Sequence, residues 1–423
     1  MKVLWLSNVL FPELCKELNI VAPVVGGWMY SGAEILINNN PDIKLAVASL
    51  YPGKELKCIE KYPITYYLIP NQGDNQIYNP NFEKYYLKIS ETFQPDIVHI
   101  HGSEYPHSLA YVKACGSRKV IVSIQGLVNI YAKHYLGGIS ENELKKNRTI
   151  RDILRKDSLL QQQKKMVNRG NYEIELLKNV QHIIGRTSWD FSNTWSINPK
   201  ASYHFCNETL RPAFYEKKWK FENCKKYSIF LSQAHYPIKG IQQIIEALPI
   251  VLEHYPLTKV YIAGNNFMSM PWYRKNDFTS YIENLMKKNS IIGSQLIFLG
   301  LLNEYQMAER YVSSHVFVCP SAIENSPNSV GEAQLVGTPC VASYVGGTMD
   351  MVKDGETGFL YRFEETAQLA KHICTLFSDS QLATLISKTA RIEALKRHDK
   401  DNNAAHLREI YSEINNLNKN ILD

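Results

Sequence analysis

The chain has 423 residues, 45% apolar and 21% charged, with a formal net charge of +6. That length exceeds one ordinary hydrophobic core and the balance is globular, which predicts two domains with a cleft between them and excludes a disordered chain. The small positive excess suits an anionic ligand or an acidic membrane surface, and gives no argument for nucleic acid.

The N-terminus, "MKVLWLSNVLFPEL", holds one lysine and a short apolar run broken at Pro12. It is too brief for a signal peptide and predicts a first buried strand. Next come "KLAVASL", "DIVHIHG" and "KVIVSIQG", short apolar runs separated by longer amphipathic stretches. That alternation predicts parallel strands joined by helices. From Lys145 to Arg169 nine Lys or Arg stand against two Asp, with Ile150, Ile153 and Leu154 at helical spacing. This segment predicts a solvated helix on the first domain's surface, or else an interfacial helix on anionic lipid or lining an acceptor groove.

Around residues 208–226 aromatics, prolines and charges mix without period, which predicts a linker between a domain of residues 1–207 and a second of 227–401. The second repeats the strand pattern with "YSIFLSQ", "KVYIAGN", "QLIFLG", "HVFVCPS" and "PCVASYVGG". A helix over 402–423, with Leu407, Ile410, Tyr411 and Ile414 on one face, is expected to complete the first domain. The fold class predicted is α/β, two Rossmann-like doubly wound parallel sheets. Eight cysteines without a Cys-x-x-Cys pair read as reduced thiols, and no apolar run reaches the length of a membrane span. The expected location is cytoplasmic, with room for peripheral contact at the inner membrane face.

The chemistry concentrates in "SAIENSPNSVGEAQLVG", after the strand "HVFVCPS". Glu324 and Glu332 stand eight positions apart around a Pro-Asn-Ser turn, where Asn or Ser predicts an N-cap. Free amides at a helix start hold phosphate, and a carboxylate one turn inside accepts paired sugar hydroxyls, so the stretch suits a nucleotide sugar. A capping carboxylate is the plainer reading for either Glu alone. His99 and His101 share a strand face close to Glu104 and His107, but their spacing matches no zinc pattern. His101 or Glu104 at a strand's carboxyl end is placed to meet acceptor or donor hydroxyls. Asp399 and Asp401 read as a solvated helix start.

With its E-x7-E motif at Glu324 and Glu332 and the following "GTPCVASYVGGTMDMVKDGETGFL", the chain resembles a retaining glycosyltransferase of family 4, of GT-B type. "YPIKG" matches the family's basic loop, and "VVGGWMYSGAEIL" and "PDIVHIHG" extend the resemblance more weakly over the N-terminal half. It implies a nucleotide-sugar donor and a glycan or lipid-linked acceptor, with no cofactor and no metal. The implied catalytic residues are Lys239 and Glu324, and His101 is added to them from its place at a strand's carboxyl end. The implied donor contacts are Gly26, Gly27, Gly264, Asn328, Ser329, Val330 and Glu332. Two departures stand out. The arginine expected five or six residues before Lys239 is replaced by Ala234 and Gln233, with His235 a candidate substitute, and an expected histidine is Gln125. Rival readings are a nucleotide-sugar epimerase of the same architecture and a catalytically silent sugar-binding or scaffold protein.

Overall fold

In the computed structural model, which describes residues 1–20 and 26–420, the chain forms two compact units. The first comprises Met1–Tyr131, Lys165–Thr209 and His398–Asp423, the second Ala132–Lys164 and Leu210–Arg397. The first two residues of "VVGGW" and the last three of the expected helix 402–423 lie outside the described residues.

Unit 1 carries an eight-stranded sheet built from β1 (Lys2–Ser7), β2 (Lys44–Tyr51), β3 (Lys57–Lys61), β4 (Ile64–Pro70), β5 (Ile97–His101), β6 (Val120–Ser123), β7 (His182–Gly185) and β8 (Ser202–Phe205). Their spatial order is β3-β4-β2-β1-β5-β6-β7-β8, and all pairs are parallel except β3 with β4. Strands such as "VLWL" and "IVHIH" are buried throughout, because helices cover both sheet faces and leave no polar-out alternation. The last helix, Lys400–Asn420, returns to this unit. Ile410, Tyr411 and Ile414 are buried in its core, and the Tyr411 hydroxyl accepts from Trp5 Nε1 at 3.0 Å. Asp399 Oδ1 accepts the N–H groups of Asp401 and Asn402, as a helix start requires.

Unit 2 carries a six-stranded sheet of β9 (Lys225–Leu231), β10 (Lys259–Ile262), β11 (Leu296–Phe298), β12 (Ser314–Cys319), β13 (Cys340–Ser343) and β14 (Phe359–Tyr361), in the order β11-β10-β9-β12-β13-β14, all parallel. In both sheets the chain winds outward to one edge, then returns to the centre and winds to the other. The reversals fall between β1 and β5 and between β9 and β12, where doubly wound sheets bind ligands beyond their carboxyl ends.

Two segments differ from the sequence reading. Residues 210–226, aperiodic and expected as linker, pack into unit 2: Phe214 and Trp219 are buried, and the Trp219 indole donates to Ser314 O at 2.8 Å. The basic stretch is also not one helix on the first domain. It breaks into Glu141–Lys146, Ile150–Arg155 and the start of Leu159–Asn179, and residues up to 164 group with unit 2. The breaks follow from Thr149, which caps the second helix in a reciprocal pair with Asp152, and from Lys156, which ends it in the left-handed region.

Unit 1 holds a buried acid with a consequence for stability. Glu173 is 1% exposed and accepts from Ser103 Oγ at 2.7 Å and from the Asn129 N–H at 2.8 Å. Burial pushes its carboxyl up to about 8, against an ordinary value of 4.5. The native chain therefore binds a proton that the unfolded chain has released between those values, and this contribution to stability is lost as pH rises from 4.5 towards 8. Glu173→Gln, which keeps an oxygen acceptor and gains no charge, is expected to flatten that slope. Urea midpoints of both proteins at pH 5.5 and pH 8 are the check: the variant should gain on wild type at the higher pH.

Candidate functional site

In unit 2 the loops after the two central strands meet backbone to backbone. The turn after β9 ends in the one-turn helix Pro237–Lys239, and the Ile238 carbonyl accepts the N–H of Ala322, in the loop after β12, at 2.7 Å. Glycine permits this approach, and a second one onto the same loop from the loop after β13. A Cβ on Gly240 would fall 1.7 Å from Pro320 O, and one on Gly346 would fall 1.8 Å from Glu324 O.

This junction sets Lys239 Nζ 2.5 Å from Glu324 Oε1, which also accepts from Ser321 Oγ at 2.7 Å. Burial alone would lower the Lys239 pKa, but the Glu324 carboxylate, then the Tyr236 hydroxyl, hold it well above its ordinary value. Lys239 is thus a permanent cation. His235 is not a second one, since burial and then the Lys239 charge push its pKa down.

The helix Asn328–Val336 begins just beyond Glu324. Its N-cap is Pro327, not Asn or Ser as the sequence suggested, and it offers no side-chain acceptor. Val330 donates its N–H to Pro327 O at 2.9 Å, which leaves Asn328 and Ser329 as the helix-start amides ahead of the first intrahelical bond. Glu332 lies one turn further in, buried, with Oε1 2.7 Å from an Arg211 nitrogen and Oε2 3.3 Å from the Tyr311 hydroxyl. Burial raises the Glu332 pKa; the Arg211 charge and hydrogen bond oppose it. Gly264, just past β10, has φ +105°, and its N–H bonds Gly300 O at 2.8 Å; a Cβ there would meet open space. The positive φ, not crowding, is what asks for glycine.

In unit 1 Gly26 caps the helix Gly27–Asn39 with φ +80°, and a Cβ on it would come within 2.9 Å of a Val9 methyl. His99 is held between Tyr411 OH and Ser123 Oγ, each at 2.5 Å, and burial pushes it down to about 3. His101 is different. Its ring lies 3.8 Å from that of His99 and 4.2 Å from that of Trp5, it is 5% exposed, and neither ring nitrogen has a hydrogen-bond partner among the described residues. Burial, then the neighbouring His99, push its pKa well down, so it is neutral. It lines a pocket with Trp28, Arg186 and Glu208 at the carboxyl edge of the sheet. Gln125 accepts from Arg186 at 3.3 Å and donates to Glu208, so it serves that ion pair. Glu104, pushed by burial up to about 7, follows two residues after Gly102. Among the described residues no three His, Cys, Asp or Glu side chains are grouped to hold a metal ion.

The structure therefore brings Lys239, Glu324, Asn328, Ser329 and Glu332 together in unit 2, and places His101, Gly26 and Gly27 in unit 1. Sequence reasoning missed Arg211 and Tyr311, the partners of Glu332. Arg211 stands 121 positions before Glu332 in an aperiodic segment, so no local pattern marks it.

Residues 213–393 match the family model described as glycosyl transferases group 1. Spore coat protein SA of Bacillus subtilis is 25% identical over 189 residues, covering 44% of this chain and 48% of the relative. The matches thus span about half the length of such curated relatives. Sucrose-phosphate synthase from Thermosynechococcus elongatus superposes with a TM-score of 0.72 at 16% identity, over 98% of this chain and 99% of that one. HepE from Anabaena in complex with UDP-glucose gives 0.65 at 16%, over 98% and 100%. At such identities the likeness to solved structures shows the fold alone. The chain is a two-sheet α/β protein of the GT-B fold whose residues 213–393 are similar to the glycosyl transferases of group 1.

Proposed function

We propose that the chain is a retaining glycosyltransferase that moves a sugar from a nucleotide-diphosphate donor to a hydroxyl acceptor. The observation that carries this reading is the Lys239–Glu324 pair beside the start of the helix Asn328–Val336, with Glu332 one turn inside, at the switch point of the unit 2 sheet. In this reading Glu332 accepts the ribose hydroxyls, the amides of Asn328 and Ser329 take diphosphate oxygens, and Glu324 lies by the sugar. Lys239 stabilises the charge that grows on the diphosphate as the glycosidic bond breaks, a preorganised electrostatic role. Gly264 lets backbone approach the donor. Neutral His101, whose ring nitrogens lack partners among the described residues, takes an acceptor hydroxyl in the unit 1 pocket. The acceptor is a glycan or a lipid-linked sugar of surface polysaccharide assembly.

Because UDP-glucose is bound by HepE, UDP-sugars are the first donors to test. Release of nucleoside diphosphate should rise when acceptor is added, with the sugar found on the acceptor in its original anomeric configuration. Release without transfer, or binding without release, would refute the reading. Lys239 and the helix amides supply the positive charge for the leaving group, so turnover should survive excess EDTA. Loss on chelation with recovery in magnesium or manganese would show that they do not suffice.

A further inference from the structure

Helix Ile150–Arg155 and the turn Trp272–Arg274 lie beside one another on unit 2. Together they expose Ile150 (66%), Ile153 (55%), Leu154 (77%), Trp272 (74%) and Tyr273 (57%), far more apolar surface than singly scattered residues present. The acidic groups nearby are spent. Asp152 is buried on Thr149, Asp157 takes both Arg151 nitrogens at 2.9 and 2.8 Å, and Glu283 pairs with Lys275. Arg148, Arg155, Lys156 and Arg274 are exposed and have no acidic partner among the described residues. The surface is also held in place: Asn284 donates to Asn147 at 2.7 Å and the Leu159 N–H to Asp277 at 2.9 Å, both onto helix Asp277–Lys288.

We propose that this composite surface docks unit 2 on an anionic bilayer. Trp272, Tyr273 and Leu154 enter the headgroup boundary, and the four cations meet lipid phosphates. Indole and phenol rings favour that boundary, and an apolar patch ringed by uncompensated Lys and Arg, with its carboxylates neutralised, has the charge such a surface attracts. Arg151 takes no part, since Asp157 and Asp152 hold it. The docking is independent of sugar transfer.

The test uses the full chain with vesicles of phosphatidylcholine alone or with about a third phosphatidylserine. Wild type should sediment with the anionic vesicles only, and less in high salt. Arg155→Glu with Lys156→Glu should weaken binding by about 30-fold or more. Trp272→Ser, on the separate turn, should weaken it at both salt concentrations without altering the far-ultraviolet circular dichroism of the protein. Equal binding to neutral vesicles, wild type left in the supernatant at low salt, or a self-association in solution abolished by Trp272→Ser would overturn the proposal, the last in favour of a second copy of the chain.

Discussion

Replacing Lys239 with alanine is expected to lower turnover by about 10²-fold or more, with a much smaller change in donor affinity. The asymmetry follows from when the charge is needed. Lys239 already faces a carboxylate 2.5 Å away in the free protein, so ground-state donor gains little from it. Only as the diphosphate departs does new negative charge grow for Lys239 to meet, and interactions that strengthen in the transition state raise kcat. Glu324→Gln keeps an oxygen for Ser321 but removes the charge that holds the lysine's pKa up. It too should reduce turnover while nucleoside diphosphate binds almost as before. The double variant should lose less than the product of the two single losses, because paired side chains act as a unit. Normal turnover in Lys239→Ala would show that the pair is a structural ion pair and no more.

A second large effect is expected at Glu332. With Gln there, the affinity for both nucleoside diphosphate and donor should fall by roughly 10- to 100-fold, the value of hydrogen bonds to an ionised acceptor. Stability should fall as well, because Arg211 is left partly buried without its counter-charge; breaking such a pair costs about 3 kcal/mol. Arg211→Ala separates the two consequences. It leaves the carboxylate but removes the charge that opposes the burial-driven rise of its pKa. The ionised form accepts the hydroxyls, so nucleotide affinity is kept above that pKa and lost as pH falls through it. The loss should begin at a higher pH in Arg211→Ala than in wild type. Calorimetry of nucleoside diphosphate binding at pH values upward from the ordinary carboxyl value of 4.5 is the measurement, and pH-independent wild-type affinity in Glu332→Gln would remove the residue from the donor site.

What the sequence revealed and what it hid divide along a physical line. Buried parallel strands show as apolar runs, so all nine quoted strands are present, from Lys2–Ser7 to Cys340–Ser343. Shorter or edge strands gave weaker signals: Lys57–Lys61 is mostly exposed, and Ser202–Phe205 mixes polar and aromatic residues. Glu324, Glu332 and Lys239 could be read because their neighbours form a local motif. Arg211 could not, nor could the packing of Trp219, because both depend on tertiary contacts made by a segment with no period of its own. The cap at Pro327 went against propensity for a related reason: the helix start is fixed by the loop junction with Ile238 and Gly346, which holds it without a side-chain acceptor.

The return of the last helix to unit 1 bears on how the chain is made. Trp5 and His99 both reach Tyr411, at separations of 406 and 312 residues. On the ribosome the strands of unit 1 emerge before the body of unit 2, yet one wall of their core is translated only after it. Unit 2, complete at Arg397, has all its residues before unit 1 has its own. Unit 1, begun before unit 2, therefore closes after it, and until then the apolar face around Trp5 stands open to chaperones and to neighbouring chains.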